Sequence, residues 1–271
     1  MQMHDATLDI EGIKRIDRFN QQVCSEGWRM AVDQNADAVP SRLGLKYLYA
    51  GKDVLLAMCL NNGYYHRENI YRMLRFALTF SNRMQIFTTD GPAKHNYEAL
   101  GKVKSKIPAI TRLARNRLRN QCMDALGRIN AELPQDEQRS ITFMEWEHIY
   151  ADQAYVDSYK YLKDLYSMST EFRTDINDTS EQVLLNRIGI EKEVKAVLSI
   201  GIEYVIEELA FILAYRSLGP ASKPIRDHGH EGFSYLYYEP WPVFEKLIRG
   251  EYDGMAKEGI GFVVAKIEEI G

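Results

Sequence analysis

Residues 53–90 read DVLLAMCLNNGYYHRENIYRMLRFALTFSNRMQIFTTD. The first eight, DVLLAMCL (53–60), form a short apolar run that ends at the turn residues Asn61, Asn62 and Gly63. Such a run is expected of a strand buried on both faces, as parallel strands are. HRENIYRMLRFALTF (66–80) spaces Ile70, Leu74, Ala77 and Leu78 as one helical stripe. RMQIFTTD (83–90) is a second strand, closed by Asp90, Gly91 and Pro92, and KHNYEALG opens a second helix. Strand, helix, strand, helix in succession predicts a parallel sheet covered by helices, an α/β fold.

Upstream, residues 1–50 read as a leader and a helix, with GIKRIDRFNQQV amphipathic. Downstream, a basic helix follows, in which Pro108 is tolerated if it lies in the first turn. ELPQDEQRS (132–140) is a loop, and ITFMEWEHIY is a strand or a helix start. Residues 151–173 and 179–187 read as helices, and 191–218 as a long one ended by Gly219 and Pro220. FSYLYYEPWPVF (233–244) is an aromatic strand broken by Pro240 and Pro242; a short helix and a strand near Phe262–Val264 finish the chain. With no internal repeat and no linker, residues 1–271 are read as one domain, a 51–271 core behind the 1–50 leader.

The 271 residues are 45% hydrophobic and 27% charged, as in ordinary soluble domains, which excludes disorder. No run approaches the roughly 18 apolar residues a membrane span needs. The N-terminal MQMHDATLDI carries acids where an export signal needs bases, so a cytoplasmic protein is expected. Three scattered cysteines, Cys24, Cys59 and Cys122, suit a reducing compartment and no disulfide framework. CxxC, HxxxH and HExxH are all absent, so neither a metal nor another cofactor is expected.

The net charge of −4 alone argues against a nucleic-acid partner. Its distribution argues the other way. Between Ala99 and Met123 there is no acid, and Lys102, Lys104, Lys106, Arg112, Arg115, Arg117 and Arg119 contribute seven positive charges. At a helical 100° per residue, Arg112, Arg115 and Arg119 fall within about 60° of one another. Ile110, Ala114, Leu118 and Cys122 form a separate apolar side. An exposed basic stripe without interleaved acids suits a phosphate backbone. Lacking a Walker loop or a GxGxxG, the chain is expected to bind RNA or DNA rather than a free nucleotide.

Several residues could carry chemistry. Cys59 closes the first strand, at the sheet edge where α/β proteins bind ligands. There the next helix start favours a thiolate, although a buried free cysteine is commonly inert. Tyr204 and Glu208, at i and i+4, share a helix face. Together they could hold an ammonium group, or they merely edge the core with Glu208 solvated beside Glu207. Tyr235 and Tyr237 share one face of their strand, a pattern also found in plain aromatic packing.

The order and spacing of these segments resemble the cyclodipeptide synthases, which join the aminoacyl groups of two aminoacyl-tRNAs into a diketopiperazine. LLAMCLNNGYYHRENI resembles the family's nucleophile strand and loop, and IFTTDGPAKHNYEALG its second strand and helix entry. The basic segment 102–119 is similar to its tRNA-docking helix, Tyr204-Val-Ile-Glu-Glu208 to its YxxxE motif, and LYYEPWPVF to its terminal catalytic strand with Tyr237. The resemblance implies a Rossmann-type sheet flanked by helices, similar to the catalytic domain of class I tyrosyl- and tryptophanyl-tRNA synthetases. HIGH-like and KMSKS-like segments are missing, as expected of an enzyme that starts from charged tRNA without ATP. The family's nucleophile is serine, and this chain has Cys59 in its place; a thiol would form a thioester instead of an ester. Tyr238 stands where one subfamily has histidine and another proline, while Asn62 matches the asparagine of the first.

The resemblance further implies catalytic roles for Cys59, Tyr204, Glu208 and Tyr237, with Asn62 shaping the loop. Leu55, Ala57, Phe211 and Tyr235 would line the first aminoacyl site, and Phe87 and Thr89 would border the second. Their apolar character leads us to expect hydrophobic aminoacyl groups on a monomeric enzyme. The alternatives are a non-catalytic RNA-binding protein on a synthetase-like scaffold, and a cysteine hydrolase or acyltransferase with a soluble thioester donor. The latter leaves the basic helix unexplained.

Overall fold

The computed structural model describes residues 10–32, 39–50, 53–188, 191–215, 233–238, 241–255, 257 and 260–270. In chain order the elements are α1 (Ile10–Cys24), β1 (Trp28–Val32), α2 (Val39–Tyr49), β2 (Asp53–Met58), α3 (Arg67–Phe80), β3 (Arg83–Thr88), α4 (Ala93–Ala99) and α5 (Ile107–Ala131). They continue with β4 (Ser140–Phe143), α6 (Trp146–Ala151), α7 (Gln153–Met168), α8 (Thr170–Ile188), α9 (Glu191–Ala214), β5 (Phe233–Tyr237), α10 (Pro242–Arg249) and β6 (Ile260–Glu269).

The strands form one sheet in the order β1-β6-β5-β2-β3-β4. All neighbouring pairs are parallel except β1 with β6. From β2 the chain winds outward through β3 to β4, then crosses back to place β5 on the other side of β2. This is the doubly wound order of Rossmann folds, and it opens a crevice at the C-terminal ends of β2 and β5, where the winding reverses. The register sets Leu55 between Gln85 and Tyr235, and Ala57 beside Phe87. Side chains alternate across a strand, so Leu55, Ala57, Phe87, Tyr235 and Tyr237 share a face. α9 covers that face, with Phe211 stacked on Phe87 at 3.8 Å and the Tyr215 hydroxyl donating to Gln85. α10 joins it through Phe244 against Phe262. The opposite face carries α5, whose Cys122 thiol meets Met58 at 3.7 Å, and α2, whose Gly44 carbonyl accepts from the Ser234 hydroxyl at 2.7 Å.

The central βαβα reading holds, and Pro108 lies in the first turn of α5. Three expectations change. The segment read as a leader supplies β1 and α2, so its residues extend the same sheet. Trp28 and Met30 of β1 are buried and Arg29 is exposed, a half-buried edge strand too short to announce itself beside a polar helix. The gap expected at 174–178 is helical, because α8 runs through it. Ile176 is fully buried there, and Asn177 accepts a hydrogen bond from Tyr166, so packing overrides weak local propensity. The last strand is ten residues long, since it pairs with β1 as well as β5. The expected stops at Gly219-Pro220 and Pro240 lie outside the described residues.

α2 approaches β6 so closely that a Cβ at Gly44 would lie 2.0 Å from the Phe262 carbonyl oxygen. The obstacle is backbone and cannot rotate aside. Gly44→Ala should therefore destabilise the protein by about 1–3 kcal/mol, the usual range for overpacking. A lower urea midpoint at unchanged slope is expected, and an unchanged midpoint would contradict this packing.

Candidate active site

Cys59 directly follows β2 and so stands at the winding reversal, 5% exposed. The loop behind it is held residue by residue. Asn61 takes a left-handed φ of 57°, and its amide donates to the Tyr97 hydroxyl at 2.6 Å. Asn62 accepts from the Tyr64 backbone N–H at 2.9 Å and donates to the Tyr238 hydroxyl at 2.7 Å. The Tyr64 and Tyr238 rings stack at 4.0 Å, tying the loop to the end of β5. The Tyr65 hydroxyl donates to the Ala57 carbonyl at 2.7 Å, fixing the last turn of the loop onto the strand that carries the thiol.

Two phenols reach the sulfur. The Tyr204 hydroxyl donates to Cys59 Sγ at 3.5 Å, and the Tyr237 hydroxyl shares a hydrogen bond with it at 3.5 Å. Burial, followed by the neighbouring Cys59, holds the Tyr237 phenol well above its ordinary range, so it stays protonated as a donor. Glu208, one turn beyond Tyr204, is fully buried, which rules out the solvated alternative. Its carboxyl faces Tyr235, whose phenol is raised first by burial and then by the Glu208 charge. A buried carboxylate and protonated phenols beside a thiol can hold an ammonium group and donate to an oxyanion.

Leu55, Ala57, Tyr235, Phe87 and Phe211 are brought together beneath α9, all fully buried, and Thr89 is buried at the end of β3. On the other side of Cys59, between its loop and α5, opens a cavity of about 330 Å³. Asn61 and His66 line it from the loop, and Arg117, Leu118 and Gln121 from the helix. His66 arrives because the loop folds back before α3, and its position seven residues after the thiol was the available signal.

The basic segment divides into two sets, and its three lysines lie ahead of α5 rather than on it. Lys102, Lys106, Arg112 and Arg117 are exposed, as is Lys104, which pairs with Glu98 at 2.6 Å. Arg115 and Arg119 are not exposed as expected. Arg115 pairs with the buried Asp90 at 3.3 Å and lies 3.8 Å from Glu145, while Arg119 binds Glu145 at 2.6 Å and covers the Phe143 ring. The acids come from distant segments, so a local scan for interleaved charge misses them. The Arg119 hydrogen bond holds Glu145 below the usual carboxylate range, while burial lifts Asp90 despite Thr88 and Arg115.

Glu207 was also overlooked as more than a neighbour of Glu208. It is 7% exposed and bound by Lys94 at 2.9 Å, His95 at 3.0 Å and the Tyr150 hydroxyl at 2.6 Å, which pins α4 to α9. Among the described residues, no group of three or more His, Cys, Asp or Glu side chains could hold a metal ion. Nor is any described helix long and apolar enough to cross a membrane.

The cyclodipeptide synthase family profile matches residues 45–266. No curated protein matches the chain. Among solved structures, a cyclodipeptide synthase from Bacillus thermoamylovorans is similar at a TM-score of 0.69 and 18% identity, covering 93% of this chain and 100% of that one. The cyclodipeptide synthase of Staphylococcus haemolyticus gives 0.65 and 18%, covering 88% and 99%. A Mycobacterium tuberculosis protein described as relating cyclodipeptide synthetases to type I tRNA synthetases gives 0.62 and 15%, covering 90% and 94%. At these identities the structural likeness establishes the shared fold.

Glu207 generates a pH prediction. Burial pushes its carboxyl up, but the His95 and Tyr150 hydrogen bonds and the Lys94 charge outweigh burial and hold it below 4.5. A depressed carboxyl stabilises the fold above its unfolded value and loses that contribution as pH falls through the folded one. Glu207→Gln should be less stable than the parent at neutral pH, and the gap should narrow progressively below pH 4.5. A gap in urea midpoints that stays constant into acid would contradict the assignment.

Proposed function

The chain belongs to the cyclodipeptide synthase family, aminoacyl-tRNA-dependent aminoacyltransferases, and from that premise we propose that Cys59 is its covalent nucleophile. The observation that carries this reading is the pair of phenols, Tyr204 and Tyr237, on one sulfur at the winding reversal. The first aminoacyl-tRNA docks its backbone on the exposed bases Lys102, Lys106, Arg112 and Arg117, contacts that give affinity without sequence readout. The α-ammonium goes to Glu208 and Tyr204, and an apolar side chain goes beneath α9 among Leu55, Ala57, Phe211 and Tyr235.

Cys59 Sγ then bonds to the acyl carbon as the bond from that carbon to the ribose oxygen breaks. The thiol proton leaves through Tyr237 and ends on the departing oxygen. The bound ammonium first gives one proton to Glu208; a second aminoacyl-tRNA, its side chain near Phe87 and Thr89, then acylates the freed amine, so that an amide forms, the second ribose ester bond breaks and its oxygen takes the proton that the nitrogen loses. The new terminal amine attacks the thioester, the C–S bond breaks, and the thiol regains its proton. The ester is already activated, so the protein's main contribution is positioning. The substrates proposed are hydrophobic aminoacyl-tRNAs, the enzyme a monomer working in the cytoplasm.

Incubation with a pool of charged tRNAs should give diketopiperazine masses. Cys59→Ala should give none, having nothing to acylate, and Cys59→Ser should retain the product. A fully active Cys59→Ala variant would overturn the covalent route. The two sets of basic residues should also separate. Arg112→Glu with Arg117→Glu should weaken tRNA binding and leave the melting temperature unchanged, because exposed substitutions cost little. Arg119→Glu should lower the melting temperature by placing two carboxylates together. Equal melting temperatures would contradict the ion pairs.

A further inference from the structure

Cys59 is the first residue of a turn. Its carbonyl accepts from the Asn62 backbone N–H at 3.4 Å, and Asn61, the third residue of that turn, has a φ of 57°. Positive φ at this position of a turn suits glycine or asparagine. The direction in which the chain leaves the thiol therefore depends on how Asn61 is held. Asn61 is itself exposed, so burial contributes little to holding it. A hydrogen bond does more: its side-chain amide donates to the Tyr97 hydroxyl at 2.6 Å.

Tyr97 offers that amide a fixed point. It lies on α4 and is 6% exposed. α4 is rooted beside the thiol, because the Thr89 backbone N–H donates to the Met58 carbonyl at 3.2 Å and the Ala93 N–H donates to the Thr89 carbonyl at 2.9 Å. One short segment thus grips the chain on both sides of Cys59, at Met58 one residue before it and at Asn61 two residues after it. The same helix is bound to α9 through Lys94 and His95 on Glu207. α9 also carries Tyr204 and Glu208, so Tyr97 ties the turn of the thiol to the element that presents the amine-holding groups. In the sequence KHNYEALG is only a helix entry, and none of the reaction steps above uses its phenol.

We propose that Tyr97 is a positioning residue for the nucleophile: through Asn61 it sets the turn that starts at Cys59 and keeps the sulfur aimed between Tyr204 and Tyr237 while acyl groups arrive and leave. This rests on the reading of Cys59 given under Proposed function. The role passes through Asn61 rather than through substrate. Its loss is therefore felt in the rate of the bound complex, where orientation counts, and not in tRNA docking, which falls to the exposed bases.

The test uses the full chain with Tyr97→Phe, Asn61→Gly and the two together. Phenylalanine keeps the ring and removes the hydroxyl. Glycine accepts the left-handed φ and removes the amide, so it breaks the same bond from the other end. Single-turnover acylation by aminoacyl-tRNA is followed by intact-protein mass spectrometry over a range of tRNA concentrations. Each single substitution should slow acylation at saturating tRNA roughly fivefold, the size of one lost neutral hydrogen bond, with the half-saturating concentration unchanged. The double variant should be no slower than the singles, since both remove one interaction. Acylation of Tyr97→Phe at the parent's rate would overturn the proposal while leaving Cys59 the nucleophile. So would effects that multiply in the double variant, or a slowing that appears only as a raised half-saturating concentration. If Tyr97→Phe does not fold, Asn61→Gly decides: the parent's rate overturns the proposal, and a slowed rate at unchanged half-saturation upholds it. A parent that takes up no acyl group would overturn the reading of Cys59, and the positioning role with it.

Discussion

Two hydroxyl groups meet at one sulfur, and the remainder of the site depends on that meeting. Tyr204 comes from α9 and Tyr237 from the end of β5, and both stand 3.5 Å from Cys59 at the end of β2. These three points share a locus only if β5 returns to pair with β2 and α9 lies across the sheet at that level. The parallel register of β2 with β5 meets the first condition, and the Phe211–Phe87 stack meets the second. Either a one-residue slip of β5 or a turn of α9 would aim a phenol elsewhere, because strand side chains alternate and helix faces repeat every three to four residues. The packed core is therefore what sets the geometry of the thiol.

The loop after β2 is held with equal care, by a different means. Asn62 bridges Tyr64 and Tyr238, and Tyr65 reaches back to the strand. Beside these neutral hydrogen bonds and the stacked ring pair, Glu208 is a fully buried carboxyl facing Tyr235. Burying a carboxylate is costly unless charge or hydrogen bonds compensate it, and in the proposed reaction the substrate ammonium adds such a partner to Glu208. The same logic explains why Glu207, one residue earlier, is neutralised by Lys94 and His95 from α4: it belongs to the scaffold, not to the reacting groups.

Much of this was legible in the sequence. The βαβα run from Asp53 announced a parallel sheet because strands buried on both faces are apolar throughout and the helix between them is striped. Cys59 at a strand end, and Tyr204 with Glu208 at one-turn spacing, were visible for the same reason: local periodicity fixes them. What could not be read depends on contacts between distant segments. β1 earns its place by pairing with β6, nearly the whole chain away. The partial burial of Arg115 and Arg119 comes with their pairing to Asp90 and Glu145, which a window on the basic segment does not contain. His66 was passed over because only the folded loop turns it toward the thiol's cavity.

The central claim is that an acyl group resides on Cys59, and intact-protein mass spectrometry after exposure to charged tRNA tests it most directly. The account predicts a single aminoacyl or dipeptidyl adduct, mapped to Cys59 and released by neutral hydroxylamine as a thioester is. An unmodified Cys59 under conditions in which diketopiperazine accumulates would contradict it.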